Sequence, residues 1–328
     1  MKLADVLPTH EVPVAPQVWL RTLHAFSFVA ALASVFLGGA LLHARGYHVE
    51  LGGLALAALA AVLLSGALDL YDDADDLRRG LDRLGHTLDA AALARSEAAE
   101  HNLRRSAVAC VVLAAFSLAP VFIPLALTRP ALVMALFLVL FAGFTYVARP
   151  RRYKYVGLGD LPEAVAWGPG LTVLGMLAAA PIVTVRELLY SLLCAIPLAM
   201  MVGTVLLARD IRDREHDAVE GVSTLALRRG VEGAVRVMLL LVAGTAVSLG
   251  GLAALGLLPR ASLISLAAVV LIIPVTQAVR RAYAERDVSK DQVVFRAEVM
   301  HALFAVLFIA SLVWAQAATL EAGGKLQI

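Results

Sequence analysis

The feature that most constrains this chain is a series of apolar runs without a charged side chain. Each run is close to the ~20 apolar residues that a helix needs to cross a bilayer. The runs are 25–42, 51–68, 106–127, 131–148, 164–183, 188–208, 237–258, 261–279 and 302–320. The period-2 alternation of a closed barrel is missing, and only helices and barrels satisfy their backbone inside lipid. The sequence therefore predicts an all-α integral membrane protein with nine transmembrane helices, in a single domain over residues 1–328.

Composition supports the same class. The chain is 60% hydrophobic and only 16% charged, with a mean hydropathy of +0.81, whereas soluble domains are closer to half apolar and a quarter charged. A net charge of +2 provides no basic footprint for nucleic acid. We therefore expect the lipid bilayer, and no nucleic acid, among the partners. The sequence does not determine the oligomeric state.

The charges in the connections predict an orientation. Four longer connections, 69–105, 149–163, 209–236 and 280–298, hold 21 of the 28 Lys and Arg residues. Because positive charge accumulates on the cytoplasmic side, these connections and the N-terminus are expected to face the cytoplasm. The expected location is the inner (plasma) membrane, with several spans.

Two acidic stretches follow apolar runs and share one spacing. They are "DLYDDADD", residues 69–76, and "DIRDREHD", residues 210–217, and both read D-x-x-D-x-x-x-D. On a helix, positions i, i+3 and i+7 lie within about 60° of one another. Each stretch therefore predicts an acidic stripe on one helix face, and Asp73 and Asp75 fall outside the shared pattern. The first acidic stripe is Asp69, Asp72 and Asp76, and the second is Asp210, Asp213 and Asp217.

Stacked carboxylates favour a divalent cation. Like charges on one helix face repel, and Mg²⁺ binds oxygen ligands, commonly one or two carboxylates together with substrate phosphates. Arginines beside the stripes suit phosphate oxygens. They are Arg78, Arg79 and Arg83 near the first stripe and Arg212, Arg214, Arg228 and Arg229 near the second. Solvated helix ends are the alternative interpretation, but two copies on one side of the membrane favour a site for Mg²⁺ and a diphosphate.

The segment "RDIRDREHDAVEGVSTLALRRG", residues 209–230, resembles the second motif of the UbiA superfamily of intramembrane prenyltransferases. That motif reads D-x-x-x-D followed by G-x-x-T-L-x-x-R-x-G. The matching positions are Asp213, Asp217, Gly221, Thr224, Leu225, Arg228 and Gly230. Family members carry two aspartate-rich motifs on the cytoplasmic side, one after helix 2 and one after helix 6, as expected here. The resemblance covers nearly the whole chain.

The run "YKYVGLGDLPEAVAWGPGLTVLG", residues 153–175, is similar to a connection in the 1,4-dihydroxy-2-naphthoate prenyltransferases of menaquinone biosynthesis. Those proteins carry Y-x-G-L-G-[DE], which matches from Tyr155 to Asp160. Two departures from the family pattern stand at the start of the acidic motifs. Leu68 stands where Asn is usual, and Arg209 stands where Asn or Asp is usual. In addition, Val222 stands where a lysine often follows the glycine of the second motif, and the stretch 77–102 lacks the usual R-P followed by a glycine-rich turn.

The resemblance implies Mg²⁺-dependent transfer of a polyprenyl group from a polyprenyl diphosphate to an aromatic acceptor, within a central cavity open to the cytoplasmic side. It implies catalytic roles for Asp72, Asp76, Asp213 and Asp217, which occupy the D-x-x-x-D positions. The metal ligands are then Asp69, Asp72, Asp76, Asp210, Asp213 and Asp217. The implied substrate-binding residues are Arg78, Arg79, Tyr153, Lys154, Tyr155, Arg212 and Arg228.

Several alternatives remain open at this point. Lys154 and the two tyrosines are also suited to anchoring at the membrane interface. The acceptor could instead be 4-hydroxybenzoate, an isoprenoid lipid or a tetrapyrrole, and an inactive homologue is compatible with the two departures. A cation-coupled transporter is disfavoured, because transporters place ionisable groups near the bilayer midplane. The histidines, His301 among them, lack metal-ligand spacing and are expected at interfaces or in loops.

Overall fold

The computed structural model describes residues 27–84, 87–145, 153, 160–180, 183–285 and 290–321. Within these ranges every regular element is helical, and no strand occurs. The α-helices are α1 (Ser27–Ala44), α2 (Leu51–Leu84), α3 (Ala90–Thr128), α4 (Pro130–Phe144), α5 (Asp160–Val165), α6 (Leu171–Ala179), α7 (Val185–Cys194), α8 (Ile196–Glu220), α9 (Leu225–Ala254), α10 (Ile272–Arg280) and α11 (Asp291–Glu321). Other helical segments are the π-helical turns Ala166–Gly170 and Arg281–Glu285 and the 3₁₀-helix Arg260–Leu271.

Five helical segments are long and apolar enough to cross a membrane within the described ranges. They are Leu51–Asp82, Ala90–Thr128, Leu225–Ala254, Arg260–Tyr283 and Asp291–Thr319. A sixth is obtained if α7 and α8, which are bent by 43° at their junction, form one span. The all-helical architecture with several apolar spans is therefore confirmed, whereas the predicted count of nine is not.

Breaks in the helices account for part of the lower count, which covers only the described residues. Run 164–183 is divided by the π-helical turn at Ala166–Gly170, which contains Pro169. Run 188–208 is divided between α7 and α8, and Pro197 stands in the first turn of α8. Proline lacks the backbone N–H that would continue the preceding helix. The apolar helices Phe28–Ala44 and Pro130–Phe144 are shorter than the length expected for a span.

Helices α1 and α6 pack with their backbones in contact. A Cβ on Gly175 would lie 2.1 Å from the Val35 carbonyl oxygen, and a Cβ on Gly38 would lie 2.1 Å from the Thr172 carbonyl oxygen. The two glycines therefore permit a separation that any side chain would prevent. This contact lies within the larger core, to which Leu68, Trp167, Leu174 and Val202 also belong.

The turn between α8 and α9 explains the glycines and the threonine of the second motif. Gly221 ends α8 in the left-handed region, with φ of 71°. Thr224 caps α9, because its side-chain oxygen accepts a hydrogen bond from the Leu227 N–H at 3.4 Å. Gly230 has a φ of 72° and interrupts the helical backbone inside α9. These residues form a backbone frame that turns the chain directly after the second acidic stripe.

Candidate active site between the acidic stripes

Both acidic stripes lie on the helices that the spacing predicts. Helix α2 continues without a break from the apolar run to Leu84, so the first stripe extends beyond the apolar segment. Its three aspartates are half-buried. Helix α8 extends in the same way to Glu220. In the second stripe, Asp210 and Asp217 are each only 6% exposed, and Asp213 is half-buried.

The helices that carry the two stripes meet at their carboxyl-terminal ends. His216 Nε2, on α8, lies 3.8 Å from Asp76 Oδ2, on α2. Close by, Arg79 Nη1 donates to the Glu220 carbonyl oxygen at 3.5 Å. The carboxyl-terminal ends of α2 and α8 are therefore adjacent, and the structure brings together two motifs that are distant in the sequence.

Asp75 lies outside the first stripe, because it does not fit the shared D-x-x-D-x-x-x-D spacing. Its side chain is the most deeply buried of the five aspartates in "DLYDDADD", at 3% exposure for the residue. Arg79 Nε donates to Asp75 Oδ2 at 3.0 Å. The sequence signal was the i, i+4 spacing of an acid and a base, which places the two side chains on one helix face.

The other predicted substrate-binding residues occupy varied positions. Arg212 binds Asp213 through a two-pronged fork, with both N–O distances at 2.7 Å. Arg78 instead pairs with Asp82 at 3.2 Å. Arg228 is exposed in the first turns of α9.

The loop residues are less fully described. The Tyr153 backbone N–H donates to the Thr145 carbonyl oxygen at 3.2 Å, and the residue is half-buried. Lys154 and Tyr155 lie outside the described residues, so their predicted roles stay predictions.

A small cavity begins at Asp69 of the first stripe and extends toward the apolar runs. Its polar lining consists of Ser65, Asp69, Glu163 and Arg209, and Trp167 forms part of its wall. Trp167 Nε1 donates to Ser65 Oγ at 2.8 Å. The cavity volume is about 20 Å³, which suffices for roughly one water molecule. The predicted wide cavity open to the cytoplasmic side is therefore not confirmed.

Leu68 and Arg209, which depart from the family pattern at the start of the acidic motifs, both line this cavity. Leu68 contributes an apolar wall, and Arg209 contributes a guanidinium. Arg209 Nη2 also lies 3.5 Å from Glu298 Oε1 on α11, and that glutamate is only 8% exposed. His301, one turn further along α11, is 2% exposed, so the expectation of an interfacial or loop position is wrong for this histidine.

The side chains of the two stripes suit Mg²⁺ in their chemistry. Carboxylate oxygens are the donors that this ion prefers, and both stripes supply them from facing helices. No group of three His, Cys, Asp or Glu side chains converges as a ligand set anywhere in the part of the chain that the structure describes. The described carboxylates therefore do not form a preassembled metal site.

Comparison with known proteins decides the family. The model of the UbiA prenyltransferase family matches residues 31–304. The chain belongs to this family. This membership confirms the resemblance that the two acidic motifs indicate.

Relatives of this UbiA family member include named enzymes. It is 28% identical over 236 residues to the 1,4-dihydroxy-2-naphthoate octaprenyltransferase of Escherichia coli (strain K12), covering 71% of the chain and 75% of the relative. It is 27% identical over 212 residues to UbiA prenyltransferase domain-containing protein 1 of Xenopus tropicalis. That match covers 65% of the chain and 59% of the relative, so the chain spans less than two thirds of that relative's length.

Solved structures of UbiA homologues share the fold. The apo structure of a homologue from Aeropyrum pernix K1 matches with a TM-score of 0.62 and 22% identity, over 88% of this chain and 97% of that chain. A homologue from Archaeoglobus fulgidus bound to GPP and Mg²⁺ matches with a TM-score of 0.56 and 16% identity, over 90% and 99%. At these identities, the likeness shows a common fold.

Proposed function

We propose that this chain catalyses Mg²⁺-dependent transfer of a polyprenyl group from a polyprenyl diphosphate to an aromatic acceptor, 1,4-dihydroxy-2-naphthoate, in quinone biosynthesis. The observation that carries the proposal is the proximity of the two helix ends that bear the acidic stripes, where His216 on α8 lies 3.8 Å from Asp76 on α2. Family membership supports the reaction class, and the E. coli relative, named as a 1,4-dihydroxy-2-naphthoate octaprenyltransferase, supports the acceptor.

In this proposal the diphosphate binds between the stripes. The metal ligands are Asp69, Asp72, Asp76, Asp210, Asp213 and Asp217. Mg²⁺, when bound, neutralises charge that develops on the leaving diphosphate. Two arginines already bind aspartates of the acidic stretches: Arg79 binds Asp75, and Arg212 binds Asp213. Their guanidinium groups would exchange a carboxylate for a phosphate oxygen, a ligand that suits the same fork geometry.

The reacting carbon then lies toward the apolar side of the stripes. Loss of diphosphate leaves an allylic cation, which must be protected from water. The cavity wall of Leu68, Trp167, Val202 and Leu206 is apolar or aromatic, and the Trp167 ring can stabilise a nearby cation through its π electrons. The electron-rich acceptor ring attacks the cation, and in the naphthoate case carbon dioxide is lost.

The proposal includes the membrane arrangement. The protein lies in the inner (plasma) membrane as a single domain of nine spans. The N-terminus and both acidic stripes face the cytoplasm, the side from which the diphosphate head group and the acceptor would approach. The distribution of Lys and Arg among the connections supports this orientation.

The test uses membranes that contain the full-length protein, Mg²⁺, a labelled polyprenyl diphosphate and a panel of acceptors. Product with 1,4-dihydroxy-2-naphthoate alone supports the proposal in full. Product with 4-hydroxybenzoate, an isoprenoid lipid or a tetrapyrrole instead identifies another acceptor. No product with any acceptor, together with unchanged diphosphate binding in Asp72→Ala and Asp213→Ala variants, overturns the catalytic assignment.

A further inference from the structure

The side chain of Arg209 places a positive charge in the wall of the cavity. This position is nearer to the apolar runs than the later aspartates of the two stripes are. Arg209 stands at the start of the second acidic stretch, one helical turn before Asp213 on α8. The cavity that it lines also contains the carboxylates of Asp69 and Glu163. Its side chain is only 21% exposed. The charge is therefore held where solvent screening is weak.

Among the described residues, the Arg209 guanidinium has one side-chain hydrogen bond, which joins Nη2 to Glu298 Oε1 at 3.5 Å. A guanidinium carries five N–H donors. The buried side-chain atoms that lack a partner in the described part of the chain do not include the Arg209 nitrogens, so its other donors are accessible to solvent or to a ligand. Glu298 therefore anchors one edge of the group, while the other donors are suited to an acceptor supplied by a ligand.

The other residues that line the cavity indicate the chemistry of the rest of the ligand. Leu68, Trp167, Val202, Val205 and Leu206 form an apolar and aromatic wall. Such a wall suits a flat hydrocarbon ring, and a guanidinium fork suits a carboxylate on its edge. Because the present volume is about 20 Å³, entry of a ring requires the cavity to widen.

We propose that Arg209, anchored by Glu298, recognises a carboxylate on the aromatic acceptor and thereby sets acceptor specificity. This inference rests on the proposed function and adds to it the residue that selects an aromatic acid over a neutral ring. The carboxylate of Glu298 sharpens the consequence. Without the Arg209 cation, Glu298 would repel an anionic acceptor, so the loss of Arg209 should remove the preference for the acid.

The test compares two acceptors that differ only in the carboxylate, 1,4-dihydroxy-2-naphthoate and 1,4-dihydroxynaphthalene, on full-length protein in detergent. The variants are Arg209→Gln, Arg209→Lys and, as a matched control, Arg236→Gln. Arg236 is 79% exposed on α9 and pairs with Glu232. The readouts are kcat and KM for each acceptor and KM for the polyprenyl diphosphate.

We expect the wild type to prefer the acid, and Arg209→Gln to raise the KM for the acid by roughly tenfold or more, the effect of losing a charged hydrogen bond. The KM values for the neutral ring and the diphosphate should stay unchanged. Arg209→Lys should restore part of the affinity, because it keeps the charge but loses the fork. An equal effect on both acceptors, or an effect on the diphosphate instead, would overturn the inference.

A binding measurement separates this inference from the reaction. In a Trp19→Phe/Trp314→Phe background, Trp167 is the remaining tryptophan, and its fluorescence reports ligands in the cavity. The inference is supported if the wild type binds the acid more tightly than the neutral ring and Arg209→Gln loses this preference. If the same protein transfers no prenyl group, the proposed function alone fails. Equal or absent binding of the two compounds to the wild type refutes the inference even if transfer is observed.

Discussion

His216 Nε2 on α8 lies 3.8 Å from Asp76 Oδ2 on α2, and this contact joins the helix ends that carry the two acidic stripes. The side chain of His216 is 45% exposed and that of Asp76 is 27% exposed, so the pair adds little to stability on its own. Its importance is positional. It shows that the last carboxylate of the first stripe faces the outer turn of the second.

This proximity can be tested by chemical cross-linking. Cysteines at positions 76 and 216, in a Cys110→Ser/Cys194→Ser background, should be linked by a short bifunctional thiol reagent. A cysteine pair at positions 76 and 232 serves as the control, because Glu232 is 91% exposed on α9. Mass spectrometry of the linked peptides measures the yield. Equal yields for the two pairs would contradict the arrangement.

Neutralising either acidic stripe should abolish activity. We expect Asp72→Asn and Asp213→Asn each to lower kcat by about 100-fold or more, the usual effect of removing one group that stabilises developing charge. The activity that remains should require a higher Mg²⁺ concentration. Initial rates over a Mg²⁺ series measure both effects, with Glu232→Gln as the carboxylate control. Wild-type rates in both aspartate variants would exclude the stripes from catalysis.

Because the backbones of α1 and α6 are in contact, adding one methyl group at this contact should strongly lower the stability of the protein. In Gly175→Ala the new Cβ would lie 2.1 Å from the Val35 carbonyl oxygen, and backbone atoms cannot yield as a side chain would. We expect a loss of about 3 kcal/mol or more, at the upper end of overpacking effects, measured as a lower Tm in detergent. Gly250→Ala is the control, since its Cβ would meet nothing within 4 Å and alanine favours helix by up to ~1 kcal/mol. Equal Tm values for the two variants would refute the close contact.

The left-handed end of α8 predicts a smaller, conformational effect. Gly221 has a φ of 71°, and Gly221→Ala should cost about 1–2 kcal/mol because its Cβ crowds the carbonyl oxygen in that region. Gly221→Asn should cost less, since asparagine tolerates this conformation. A Cβ at this position would meet no other atom within 4 Å, so steric contact does not confuse the result. Thermal unfolding in detergent ranks the variants, and an alanine variant as stable as the wild type would contradict the assigned backbone.

Hydropathy located the apolar helices but not the breaks within them. A window average treats run 164–183 as continuous, although the backbone forms a π-helical turn at Ala166–Gly170. Pro169 and Pro197 were visible in the sequence. Whether a proline bends, widens or merely begins a helix depends on the neighbours that compensate its missing hydrogen bond. The number of spans therefore could not be read from composition alone.

The spacing of residues along the chain predicted the aspartates on each helix. It did not predict contacts between residues that are far apart in the sequence. The D-x-x-D-x-x-x-D pattern correctly placed its aspartates on two helices, because helical geometry links residues a few positions apart. Glu298 and His301 carried no such signal. Arg209 reaches Glu298 across a separation of 89 residues, and only the packing of α8 against α11 brings that pair together.

The second motif contains residues with two different roles, and Gly221, Thr224 and Gly230 have only one of them. Its glycines and threonine specify the path of the backbone, whereas the aspartates before them supply the charges. A descendant of this chain that lost every stripe carboxylate would retain the turn and still be recognised as a relative. Motif searches that weight the glycines and the threonine heavily will therefore collect inactive proteins with the enzymes, and the carboxylates are the positions that distinguish them.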